Sequence, residues 1–220
     1  IELELGRVSG SAQFTLSSFF IGLGLGQLFY GPISDSLGRR KVLVVGLLIY
    51  CLGSLFCFFA GTMMELVAAR FFQALGAAAG GVIARAMVRD VFTGKKAAQA
   101  QSFINLAFSF TPLMAPLFGG YLLIFFGWRS IFLALLLFGI ICLLILLLKI
   151  PETLPKKKRN TLGLVSTVLG YRTILRNSRS IGSILSGALA FSCMFTYFAA
   201  SPFIYLSLIH ISEPTRLRRI

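Results

Sequence analysis

Charged residues are so sparse along this chain that their spacing alone outlines its elements. Uncharged runs of 27, 23, 32, 19 and 33 residues separate Arg7 from Asp35, Lys41 from Glu65, Lys96 from Arg129, Arg129 from Lys149 and Arg179 from Glu213. A helix needs about 20 predominantly apolar residues to cross a bilayer. Each run meets or closely approaches that length. The pattern predicts six membrane-spanning helices over residues 11–30, 42–60, 64–88, 98–126, 130–149 and 180–205. The third holds Arg70 and Arg85, but the 14 uncharged residues between them keep it a single span. The fold class that follows is all-α integral membrane.

Composition agrees. Apolar residues make up 57% of the 220, and charged residues 13%, where a soluble domain carries about 25%. Mean hydropathy is +0.87. Too few polar side chains exist to cover an aqueous surface, and disorder requires low hydrophobicity. The net charge of +14 points to no nucleic-acid partner, because Lys and Arg punctuate apolar runs rather than lining one solvated face. Cys51, Cys57, Cys142 and Cys193 all lie within apolar runs without metal-site spacing, so they read as buried, unreactive thiols.

Basic residues also orient the chain. Segments 31–41, 85–96 and 149–179 carry fifteen Lys and Arg, whereas the intervening loops carry only Arg129, with Arg7 before the first span. The positive-inside rule therefore places 31–41, 85–96 and 149–179 in the cytoplasm. The last of these, 151–179, reads as a basic linker between two helical halves, with attraction of anionic lipid as an alternative role.

Three stretches stand out chemically. Gly31-Pro32-Ile33-Ser34-Asp35-Ser36-Leu37-Gly38-Arg39-Arg40-Lys41 places one acid, two glycines and three bases in a predicted tight reversal. Leu66-x-x-x-Arg70-x-x-Gln73-x-x-Gly76 puts a cation inside a span, where a charge marks a functional candidate. Pro112-x-x-x-Pro116-x-x-Gly119-Gly120 combines helix-kinking prolines with small residues that admit close helix approach. Gly22 with Gly26, and Gly76 with Gly80, have the spacing of helix-packing faces.

Together these stretches resemble the major facilitator superfamily. The first is similar to its signature loop, matching at Gly31, Asp35, Gly38, Arg39 and Arg40, with Ser36 where the family usually has a base. The second resembles its fourth-helix motif, and the third the antiporter motif of drug-exporting members, with Ala115 in place of a glycine. With Phe126-Gly127-Trp128-Arg129 and the linker Pro151-Glu152-Thr153-Leu154-Pro155, the closest likeness is to Bcr/CflA-type drug:proton antiporters.

The resemblance implies a partial major facilitator fold, about six helices of an expected twelve. Residues 1–150 would hold helices two to six, and 180–205 the first helix of the second half. It implies alternating access around a midplane site, small-molecule and proton partners, a bilayer inner-membrane location, a monomer when full length, and no cofactor beyond the proton gradient. Asp35, Arg39 and Asp90 would form a cytoplasmic charge cluster. Arg70, with Gln73 and Gly76, would serve proton coupling, its charge tuning a carboxylate on another helix. Pro112, Pro116, Gly119 and Gly120 would shape a helix sealing against the opposite half, and Gln27 and Asn105 would line the substrate cavity.

Residues 206–220 are expected to be sequencing-adaptor read-through, since Leu206 to Arg216 resembles a translated transposon-end adaptor. The chain is likewise expected to begin within a longer protein. Two other readings stay open, a sugar or metabolite facilitator and a truncated, non-transporting membrane fragment. An enzyme is not expected, because no nucleophile–base pair or metal cluster occurs in the sequence.

Overall fold

Where no water is present, a backbone satisfies its polar groups most simply as a helix, and each long apolar run of this chain folds as one. A computed structural model describes residues 12–155, 159 and 171–212. Five helices belong to one unit, residues 1–162: α1 (Ala12–Leu37), α2 (Arg39–Phe59), α3 (Met63–Val91), α4 (Gly94–Phe126) and α5 (Arg129–Lys149). The second unit, residues 163–220, contains a helical stretch at 171–176 and α6 (Ser178–Ser212). Six helices are long and apolar enough to cross a membrane. Lys156–Lys158 of the predicted linker, 160–170, and 213–220 of the predicted adaptor segment lie outside the described residues.

The breaks between helices are shorter than the charge pattern predicts. α1 runs through most of the expected loop 31–41 to Leu37, and α3 through most of 85–96 to Val91. Charge spacing marks where side chains leave the hydrocarbon. It does not mark where the backbone stops being helical. Pro32 lies inside α1 rather than ending it. Beside it, the Ser34 hydroxyl donates to the Gly31 carbonyl and the Ser36 hydroxyl to the Ile33 carbonyl, local side-chain bonds within the last turns of the helix. The reversal narrows to Gly38, at φ +103°, a conformation that glycine alone adopts without strain.

α3 is the central helix, packed against α1 and α2, while α2 also packs against α5. Small residues bring the backbones together. A Cβ added to Gly22 would stand 2.5 Å from the Phe71 carbonyl oxygen, and one on Gly53 would stand 2.5 Å from the Gln73 nitrogen. Gly46 faces Ala79, and Gly76 faces the Tyr50 backbone just as closely. The expected pairing of Gly76 with Gly80 holds only at Gly76, because Gly80 has open space beside it.

Two apolar clusters form the interior. Tyr30, Val42, Leu43, Ala78, Ala79, Ile83, Met87 and Leu146 pack toward the Gly38 end. Cys57, Met63, Leu66, Ala69, Trp128 and Phe132 pack toward the opposite end. Outward faces stay apolar, from Phe14 on α1 to Leu148 on α5, as a lipid solvent requires. α4 buries none of its residues. Of the four free thiols, Cys51 and Cys57 are buried as expected, but Cys193 is exposed on α6. Cys142, on α5, is half-buried.

The tight seams predict a contrast. Gly53→Leu should destabilise the protein by about 1–3 kcal/mol through overpacking. Gly80→Ala, with space to spare, should change stability by less than about 0.5 kcal/mol or raise it slightly. Thermal unfolding in detergent compares the two directly, and equal effects would show that the α2–α3 seam is not close-packed.

Candidate functional site

At the Gly38 end, three helix termini meet around one guanidinium. Arg39, first residue of α2, donates from Nη1 to Asp35 Oδ1 at 2.5 Å and from Nε to Asp90 Oδ2 at 3.0 Å. The same Nη1 donates to Ser34 Oγ at 2.6 Å. The Ser34 hydroxyl, itself fully buried, passes its proton on to the Gly31 carbonyl. Thus α1, α2 and α3 are joined through one side chain that is only 8% exposed.

Every charge in this cluster sits at the unfavourable end of its own helix. Asp35 and Asp90 lie in C-terminal last turns, where the helix dipole repels anions, and Arg39 lies at an N-terminus, where it repels cations. The three charges offset one another, with the Ser34 hydroxyl as a further acceptor for Arg39. The linker adds the favourable charge. Glu152 Oε1 accepts from the Arg39 backbone nitrogen at 2.9 Å and from the Leu154 nitrogen at 3.1 Å. Thr153 Oγ1 donates to Asp90 Oδ2 at 3.5 Å, and Leu154 is buried. Residues 151–155, expected as part of a solvated linker, are therefore folded onto the cluster.

Gly38 is fixed twice over. An added Cβ would stand 2.5 Å from Glu152 Oε2 and 2.7 Å from Arg159 Nη2, quite apart from its positive φ. Arg159 pairs with Glu152 Oε2 at 3.5 Å. Arg40 turns away from the three-charge cluster and donates from Nη2 to the Leu147 carbonyl of α5 at 2.7 Å.

A second polar layer lies inside the membrane span, between the two apolar clusters. Arg70 Nη1 donates to Gln73 Oε1 at 2.6 Å, Gln73 Nε2 donates to Ser54 Oγ at 2.8 Å, and Ser54 Oγ donates to the Tyr50 carbonyl at 2.8 Å. Gln73 and Ser54 are fully buried. The Arg70 guanidinium also lies over the Phe19 ring at 4.3 Å and within 5.7 Å of the Phe132 ring, in the range of cation–π attraction. Among the described residues Arg70 makes no ion pair. Glycine at Gly76, one turn on, lets α3 approach the α2 backbone closely enough for Gln73 to reach Ser54.

The opposite end is closed by helix caps. Thr62 and Glu65 form a capping box at the start of α3, and Arg129 Nη2 donates to the Ala60 carbonyl at the end of α2 at 3.1 Å. The remaining expected residues are not gathered into either layer. Pro112, Pro116, Gly119 and Gly120 lie along α4, the two glycines with open space beside them. Gln27 on α1 and Asn105 on α4 are exposed.

Sequence reading missed Ser34, Ser54, Phe19 and the docking of Glu152. The Thr62-x-x-Glu65 spacing signalled its cap in advance. Nothing in the sequence signalled Ser54 or Phe19, whose roles arise from helix pairing.

Residues 1–216 match the Major Facilitator Superfamily. The MFS-type transporter YdgK of Bacillus subtilis is 35% identical over 96% of this chain and 53% of its own length. A bicyclomycin resistance protein homolog of Haemophilus influenzae is 31% identical over 89% of the chain and 49% of its own. Multidrug resistance protein D of Escherichia coli is 36% identical over 80% and 43% respectively. The chain thus spans about half the length of these relatives. The crystal structure of the human organic anion transporter MFSD10 aligns with a TM-score of 0.58, at 24% identity, over 74% of this chain and 39% of that one. That likeness concerns the fold. With its six apolar spans and a match along nearly its whole length, this chain is a multi-pass membrane protein and belongs to the Major Facilitator Superfamily.

Proposed function

We propose that the protein to which this chain belongs exports small hydrophobic or cationic compounds across a bacterial inner membrane in exchange for protons. The chain supplies helices of its first half, and segments 31–41, 85–96 and 149–179 face the cytoplasm. Kinship with proteins named for multidrug and bicyclomycin resistance supports this substrate class. The observation that carries the mechanism is the Asp35–Arg39–Asp90 cluster, a contact whose members are stable only together.

Such a cluster suits a two-state gate. Between α2 and α3 the backbones touch through Gly46, Gly53 and Gly76, so those helices move as a pair and Arg39 keeps Asp90. The end of α1 beyond Pro32 has no comparable seam, and Gly31 has open space beside it. Opening the cytoplasmic side therefore parts Asp35 from Arg39, and closing it restores the ion pair. Arg70 supplies a fixed positive charge in the mid-span polar layer. It holds a carboxylate from the rest of the protein in its charged form until substrate or proton displaces the pair. Exposed aromatic side chains along α1 and α4, with Gln27 and Asn105, offer apolar contact with few fixed hydrogen bonds, which suits varied substrates.

Two outcomes test this reading in the full-length protein. Asp35→Asn removes the separable ion pair, whose carboxylate is 41% exposed and partly screened. It should slow efflux at least fivefold, corresponding to about 1 kcal/mol of gate stability, with membrane insertion unchanged. Undiminished efflux in reconstituted vesicles would remove the cluster from the mechanism. Arg70→Lys keeps the charge but loses the fork that holds Gln73 and the stacking over Phe19. Substrate-driven proton release should fall by about tenfold or more, and full coupling in the lysine variant would assign Arg70 a purely structural role.

A further inference from the structure

A hollow of roughly 450 Å³ opens beside the charge cluster, between the first turns of α2, the end of α5 and the folded linker. It is lined by the cationic residues Arg40, Lys41 and Arg159 and by Val44, Val45 and Leu147, and its surface is mostly apolar. Neither the gate nor the mid-span layer uses it. The only acid lining it, Glu152, is already engaged: one oxygen accepts two backbone N–H groups, and the other pairs with Arg159. The hollow therefore keeps an excess of positive charge.

Two further observations point to a missing anion. Arg40 Nε and Arg159 Nε are buried and have no acceptor, which is costly for a guanidinium donor. Arg40 and Lys41 also occupy the first turn of α2, where the helix dipole disfavours cations and favours an anion. An acceptor-only group in the hollow would offset the charge of these side chains and meet the favourable end of the α2 dipole. Phosphate is such a group, with several oxygens and a shape that guanidinium forks match.

The apolar wall identifies its carrier. Val45 and Leu147 are exposed on helices that cross the membrane, so an acyl chain descending from the phosphate would run along them. A free phosphate ion would gain nothing from that wall. We propose that the Arg40–Lys41–Arg159 hollow binds the phosphate headgroup of an anionic phospholipid, with Val44, Val45 and Leu147 seating the start of its acyl chain. Occupancy brings the lipid against Glu152 and the start of α2, next to the gate.

The test reads lipid, not transport, so its failure and the failure of the efflux reading are distinct. Delipidated full-length protein is titrated with phosphatidylglycerol or phosphatidylethanolamine, and bound lipid is counted by native mass spectrometry. Phosphatidylglycerol should bind in preference to phosphatidylethanolamine. Replacing both arginines (Arg40→Gln with Arg159→Gln) should weaken phosphatidylglycerol binding by about 25-fold, at about fivefold per cation. The exposed Lys41→Gln should weaken it by about fivefold with no disturbance of folding. Lys95→Gln, a basic residue of α4 outside the hollow, should change it less than about twofold. Equal binding of the two lipids, or an equal loss in Lys95→Gln, would overturn the site. Displacement of phosphatidylglycerol by excess inorganic phosphate would overturn the lipid assignment in favour of a soluble anion.

Discussion

Arg39 is the residue on which one end of this molecule depends. Its guanidinium and backbone nitrogen reach α1, α3 and the linker at once, through Asp35, Ser34, Asp90 and Glu152. The arrangement runs against the dipoles of all three helices. A helix end normally attracts the opposite charge, by about 0.3–1 kcal/mol at an exposed surface. Here each terminus carries the disfavoured sign, and the mutual ion pairs outweigh that penalty only while they stay in contact. An interaction that is favourable only when complete has two clear states, which is what separates a gate from an ordinary surface salt bridge.

Depth in the membrane explains why the second polar layer is built differently. Arg70 has no ion-pair partner among the described residues, so its charge is spread over a neutral amide and two aromatic faces. Gln73 is held in turn by Ser54, and Ser54 by the α2 backbone. A chain of neutral hydrogen bonds keeps the guanidinium in place without neutralising it.

Much of this was legible in the sequence, for a physical reason. Charge spacing fixed the number of spans, because burying a Lys or Arg in hydrocarbon is penalised regardless of fold. The family resemblance implied that Asp35, Arg39 and Asp90 would meet at one end, and they do. Helix boundaries were less legible. The run from Gly31 to Lys41 looks like a loop by composition, yet α1 continues through Pro32 to Leu37. The partners chosen by helix pairing were not legible at all. Ser54 is one polar residue in an apolar run, and only the Gly53–Gln73 contact brings it to the polar layer. Glu152, 113 positions after Arg39, reads as a linker acid until the chain folds back.

The two polar sites share a helix, and that constrains how they communicate. Arg70 and Asp90 lie 20 residues apart on α3, about 30 Å along its axis at 1.5 Å per residue. Both sites bond to α2, through Ser54 and through Arg39. Between those bonds the backbones of α2 and α3 touch at Gly46, Gly53 and Gly76, leaving no room for one helix to slide along the other. Independent movement of the two sites within this pair is therefore blocked. A change felt at Arg70 reaches the Gly38 end as displacement of the α2–α3 pair as a whole, and what it can shift there are the parts without a glycine seam: the last turn of α1 and the linker. Asp35 and Glu152 belong to those parts, and both hold Arg39.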